Sequence, residues 1–167
     1  MYSIVILSIV VVAASAGEVD LDYCRHLMHY SIMRCCNKDP IEQLMKTCDV
    51  KDCNELSGDP VTCARDKCIA KAKGFATADD KLDLTKLEAV FTKDFASNPD
   101  LLAALKKNCI EGDLEKYGAP EFCDIAKMMS CFSVQLINSC AEWSEKGSCE
   151  GVKEYVKECD KLFSQNS

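Results

Sequence analysis

The chain reads as an all-α fold: one disulfide-stapled domain of six to seven helices. Three observations lead there. Apolar residues recur at helical spacing along most of the chain. Runs of β-branched residues with period two are absent after the first sixteen residues. Thirteen cysteines sit in 167 residues, and every one follows that apolar leader.

The leader comes first. Residues 1–16 carry no charged side chain and end Ala14-Ser15-Ala16, small residues at the positions a signal peptidase reads. The run is too short to span a bilayer core of about 30 Å. The expectation is a signal peptide over 1–16 and one domain over 17–167, secreted through an oxidising compartment where disulfides persist. An odd count of thirteen leaves one thiol over after six bridges.

The helices follow. Leu21, Cys24, Leu27, Met28 and Ile32 form a helical stripe over 19–36, and Ile41, Leu44, Met45 and Cys48 another over 41–48. Asp59-Pro60 predicts an N-cap and first turn for a helix to about Ala72, stopped by Gly74. Leu84, Leu87, Val90, Phe91 and Phe95 share a face over 83–96, with Thr85 and Glu88 at capping-box spacing. Asn98-Pro99 opens a helix carrying Leu101, Leu102, Leu105 and Cys109. Pro120 opens a longer one with Phe122, Ile125, Met129, Phe132, Leu136 and Cys140 inward, and the last runs over roughly 150–163.

Several function classes are excluded. The net charge is −7 with no basic cluster, so nucleic acid is not an expected partner. No later apolar run is long enough to cross a membrane, and no Asn-x-Ser/Thr sequon occurs. Catalysis needs a nucleophile–base pair, paired carboxylates or a metal. The chain offers only His26 and His29 and no Cys-x-x-Cys pair. The expectation is no catalytic residue, no metal and no cofactor. Titration of the two imidazoles near neutrality leaves a pH-dependent release open. The 79–83 acidic stretch lacks the glycine and terminal carboxylate of a calcium loop and reads as a solvated turn. The Cys35-Cys36 doublet has no His-Asp pair or glycine-rich loop to make a secreted phospholipase site.

The cysteine spacing and the text between carry more. Asp59-Pro60-Val61-Thr62-Cys63 is followed by Cys68-Ile69-Ala70-Lys71-Ala72-Lys73-Gly74-Phe75, and 40 residues separate Cys68 from Cys109. Between them runs Asp80-Lys81-Leu82-Asp83-Leu84-Thr85-Lys86-Leu87. Cys123-Asp124-Ile125-Ala126-Lys127-Met128-Met129-Ser130-Cys131 comes next, and Cys140 lies eight intervening residues further on. This pattern, over roughly residues 24–159, resembles the insect odorant-binding proteins, most closely their cysteine-rich Plus-C branch. The chain departs from them in having four residues between Cys63 and Cys68, where three are usual, and Ala141 in place of a proline.

The resemblance implies a helical bundle around an internal apolar cavity. It also implies a disulfide order, first cysteine to third, second to fifth and fourth to sixth. The preferred threading is Cys36–Cys68 (or Cys35–Cys68), Cys63–Cys131 and Cys109–Cys140, and the other is Cys63–Cys123 with Cys109–Cys131. Cys24, Cys48, Cys53, Cys149 and Cys159 then tie the termini onto the body. The implied function is a secreted carrier that binds small hydrophobic molecules reversibly and moves them through sensillum lymph. Its partners are the ligand and a membrane chemoreceptor, and it acts as a monomer or weak homodimer. The ligand-lining residues expected on this reading are Phe75, Leu84, Leu87, Phe91, Phe95, Leu102, Leu105, Met128, Met129, Phe132, Leu136 and Ile137. The alternative is a secreted helical interaction, structural or toxin-like protein whose interior is filled.

Overall fold

Asparagine followed by proline makes the clearest helix start. In the computed structural model, which describes residues 20–27, 30–37 and 50–165, Asn98 Oδ1 accepts the Leu101 N–H at 3.2 Å and Pro99 opens the helix. The described helices are α1 Leu21–Leu27, α2 Tyr30–Met33, α3 Ala64–Ala72, α4 Leu84–Asp94, α5 Pro99–Leu105, α6 Asp124–Asn138 and α7 Val152–Gln165. Short 3-10 turns cover Lys51–Cys53, Glu115–Tyr117 and Gly147–Cys149. After α5 the chain continues as one π turn, Lys106–Ile110, closed by Glu111 N–H to Lys106 O at 3.0 Å. No strand occurs among the described residues; isolated bridges join Cys36 to Trp143 and Ala76 to Leu82. The expected leader, the 41–48 helix, Met28 and Cys48 lie outside the described residues, as do the side chains of both histidines.

Several expected helix starts are corrected. Asp59-Pro60 does not open α3. Asp59 accepts the Val61 N–H in a turn, and Cys63 takes a left-handed conformation (φ 58°) that holds the helix off until Ala64. Cys63 therefore stands outside the helix that carries Cys68. The cap of α4 is Asp83, whose carboxylate accepts the Lys86 N–H at 3.1 Å, and not Thr85. Residues 120–122 form a turn, and α6 begins at Asp124. Gly151 has positive φ (74°), so α7 starts one residue later.

Helix α6 is the central element. Ile125, Met128, Cys131, Phe132, Leu136 and Ile137 are buried on it, and so are Lys127, Ser133 and Gln135. A helix buried on several sides must satisfy its polar groups internally. Lys127 Nζ donates to both Glu115 carboxylate oxygens at 2.8 and 2.7 Å. Ser133 Oγ donates to Met129 O at 2.9 Å. Gln135 accepts Asn108 Nδ2 at 2.8 Å. Against α6 pack α3, α5, α7, α2 and the 115–117 turn.

Six bridges close the described structure: Cys24–Cys159, Cys35–Cys149, Cys36–Cys140, Cys53–Cys68, Cys63–Cys123 and Cys109–Cys131. The preferred pairs Cys36–Cys68 (or Cys35–Cys68), Cys63–Cys131 and Cys109–Cys140 are thus overturned, while the two pairs of the other threading, Cys63–Cys123 and Cys109–Cys131, are present. Tertiary approach explains each change. Cys123 caps α6 beside the 59–63 turn, where its N–H reaches Pro60 O at 3.2 Å, so Cys63 meets Cys123. The π turn presents Cys109 to Cys131. Cys140 lies past the end of α6, where the Cys36–Trp143 bridge brings Cys36 against it. Cys68 is left facing Cys53 in the 51–53 turn. Cys131 within α6 and Cys140 just past its end, with eight residues between them, are bonded to two different neighbours, Cys109 and Cys36.

Tyr117 yields a pH prediction. It is 3% exposed, stacks on Phe163 at 5.2 Å and accepts Gln135 Nε2 at 3.4 Å. Burial first, then the Asp160 carboxylate, pushes its phenol up from 10 to about 12, against the Gln135 hydrogen bond. The folded phenol keeps its proton where the unfolded one has lost it. Stability is therefore full below about pH 10 and falls as pH climbs towards about 12. At about 1.36 kcal/mol per pKa unit the loss is ~2–3 kcal/mol. Urea unfolding midpoints should fall across that window, and Tyr117→Phe should flatten the slope. An unchanged slope in the variant would contradict this assignment.

Candidate functional site

Gly74 positions the first wall of a pocket. Its φ of +79° ends α3, with Phe75 N–H returning to Ala70 O at 2.9 Å. The reversal turns Phe75 inward, where it is 5% exposed. Asp83 N–H to Phe75 O at 2.9 Å and the Ala76–Leu82 bridge then set α4 against α3. Helix α6 supplies the third wall.

Between these walls lies an apolar pocket that encloses about 30 Å³. It is lined by Ile69 and Lys73 of α3, Phe75, Leu87, Val90, Phe91 and Asp94 of α4, Phe95, and Met128, Met129 and Phe132 of α6. Three rings pack together in its wall. Phe91 stacks on Phe132 at 5.4 Å and 9°, while Phe95 meets Phe91 edge-on at 6.1 Å and Phe132 at 5.8 Å. Those separations lie within the favourable range for aromatic pairs. The charged members, Lys73 and Asp94, are each partly exposed.

Of the expected lining residues, Phe75, Leu87, Phe91, Phe95, Met128, Met129 and Phe132 come together here. The remainder do not. Leu84, at the first position of α4, is 41% exposed. Leu105 and Leu136 are fully buried filler, and Leu102 packs on the core from a half-buried position. Ile137 lines a different pocket, beside α7. Sequence reasoning missed Ile69, Lys73, Val90 and Asp94 as lining residues. Ile69 and Lys73 are one turn apart on α3 and so share a face, but a sequence alone does not say which face of α3 meets α4.

The pocket offers burial of apolar surface rather than bond-making chemistry. Among the described residues no three histidine, cysteine or acidic side chains stand together as a metal group. No helix among them is long and apolar enough to cross a membrane. Neither family models, nor curated proteins, nor solved structures offer a match to this chain.

Proposed function

We propose that this chain is a secreted carrier that reversibly binds small hydrophobic molecules and moves them through an aqueous lymph, as insect odorant-binding proteins do. The carrying observation is the apolar pocket between α3, α4 and α6, walled by three mutually packed phenylalanines and two methionines. The room enclosed between these walls is about 30 Å³, far below the ~300–1,000 Å³ of small-molecule sites, so the pocket must widen to take a ligand. Stacked rings fill its wall, so a ligand enters by displacing them. Flexible methionines beside the rings ease that adjustment. Helix α4 is also the one wall without a cysteine, whereas α3 and α6 are fastened by Cys53–Cys68, Cys63–Cys123 and Cys109–Cys131. On this reading α4 yields, and the disulfides keep the other two walls in place.

Burying ten methylenes gains roughly 8 kcal/mol gross at about 0.8 kcal/mol each. Lost motion takes back several kcal/mol. Micromolar binding, about −8 kcal/mol, then calls for a longer or aromatic ligand that stacks on Phe91 and Phe132. The test is displacement of a neutral naphthylamine dye by terpenoids, fatty alcohols and aromatics. Competition below ~100 µM, about −5.5 kcal/mol, is expected from some of them. If none competes, the carrier reading fails, and the filled interaction or structural protein takes its place.

A further inference from the structure

A second pocket, of about 210 Å³, lies where the C-terminal end of α6 and the 140–143 segment face α7. It shares no residue with the first. Ile137, Val156 and Trp143 make its apolar surface. Lys153 and Lys157, one turn apart on α7, put two ammonium groups on one side of it. Both are exposed, and neither is ion-paired among the described residues, although the chain carries a net charge of −7. The pocket's one carboxylate, Asp160, is engaged by Asn138 Nδ2 at 2.5 Å.

The walls of this pocket are fastened. Cys36–Cys140 anchors the loop, and Asn37 N–H to Glu142 O (2.8 Å) and Ser144 N–H to Cys35 O (2.7 Å) hold it on both sides. Cys35–Cys149 secures the approach to α7, and Cys24–Cys159 secures α7 itself. A site held in its binding shape loses little freedom when a ligand arrives. Apolar surface with a tryptophan, beside two unpaired cations, matches a small molecule with an aromatic ring and one carboxylate. We infer that the pocket between α6 and α7 binds a small aromatic monocarboxylate, with Lys153 and Lys157 receiving its carboxylate and Trp143 its ring.

Trp143 is the only tryptophan, so its emission reports this pocket. The oxidised full chain is titrated with hydrocinnamate and with the neutral hydrocinnamyl alcohol, following emission and binding heat. Hydrocinnamate should give a saturable Trp143 response, and the alcohol should bind several-fold more weakly. A Lys153→Met/Lys157→Met variant should lose about five- to tenfold in carboxylate affinity, and the double arginine variant should retain it. Circular dichroism of the double methionine variant should match the parent. Equal binding of acid and alcohol, no loss in that variant, no binding, or heat without a Trp143 response would each overturn the assignment. Displacement of the neutral dye from the first pocket should be untouched by the lysine changes, so this site and the carrier reading fail independently.

Discussion

Replacing Phe132 with alanine is expected to lower the unfolding free energy by about 3–5 kcal/mol and to create a site that toluene refills. Phe132 is 4% exposed and holds the centre of the ring cluster, in contact with both Phe91 and Phe95. Deleting a buried phenyl ring loses its transfer free energy and leaves a void the neighbours only partly close. Two ring pairs, worth about 0.5–1.5 kcal/mol each beyond their buried area, go with it. In a domain of this size ~3 kcal/mol lowers Tm by roughly 6–12 °C. The void joins a pocket already lined by carbon and sulfur, so an aromatic guest is a better occupant than water. Saturating toluene, at about a hundred times its Kd, should return ~2.7 kcal/mol. Thermal unfolding of parent and variant, each with and without toluene, reads both effects. A loss under about 1 kcal/mol would show that Phe132 is not packed as described. An equal toluene effect on parent and variant would show that the ring does not occupy ligand space.

The stripe along 83–96 and the apolar face of α6 were legible as helical faces because burial imposes a 3.6-residue period. Most pocket residues come from those two faces. Which apolar residue lines the pocket and which fills the core was not legible, because it depends on how one helix meets another. Leu84 and Leu87 belong to one stripe, yet Leu84 faces solvent at the start of α4 and Leu87 is 2% exposed. Caps divide in the same way. Asn98-Pro99 starts a helix unaided, whereas the look-alike Asp59-Pro60 is held in a turn by Cys63–Cys123 and by the Cys123 N–H on Pro60. Local chemistry was equal at the two sites, and tertiary linkage decided between them. The disulfide order was hidden for the same reason, since spacing along a chain does not encode which thiols approach in space.

Removing Cys24–Cys159 as a Cys24→Ala/Cys159→Ala pair is expected to cost about 3 kcal/mol, well short of what its span alone suggests. Its sequence separation of 135 would, if it were the only bridge, restrict the unfolded chain by about 5 kcal/mol. The bridges are nested, however. Cys35–Cys149 lies inside it and already closes most of the same loop. Only the segments from Cys24 to Cys35 and from Cys149 to Cys159 are newly constrained by the outer bond. A loop of some twenty residues is worth about 3 kcal/mol on the same scale. Both sulfurs are fully buried where α1 packs on α7, so small voids add to the loss. Urea unfolding of the oxidised double variant measures the difference. A loss near 5 kcal/mol or more would mean that the inner bridge leaves the ends unrestrained when unfolded. A loss under about 1 kcal/mol would mean that α1 holds to α7 without its covalent tie. Because the second pocket sits between α6 and α7, the same variant should also loosen hydrocinnamate binding while leaving dye displacement at the α3–α4–α6 pocket unchanged.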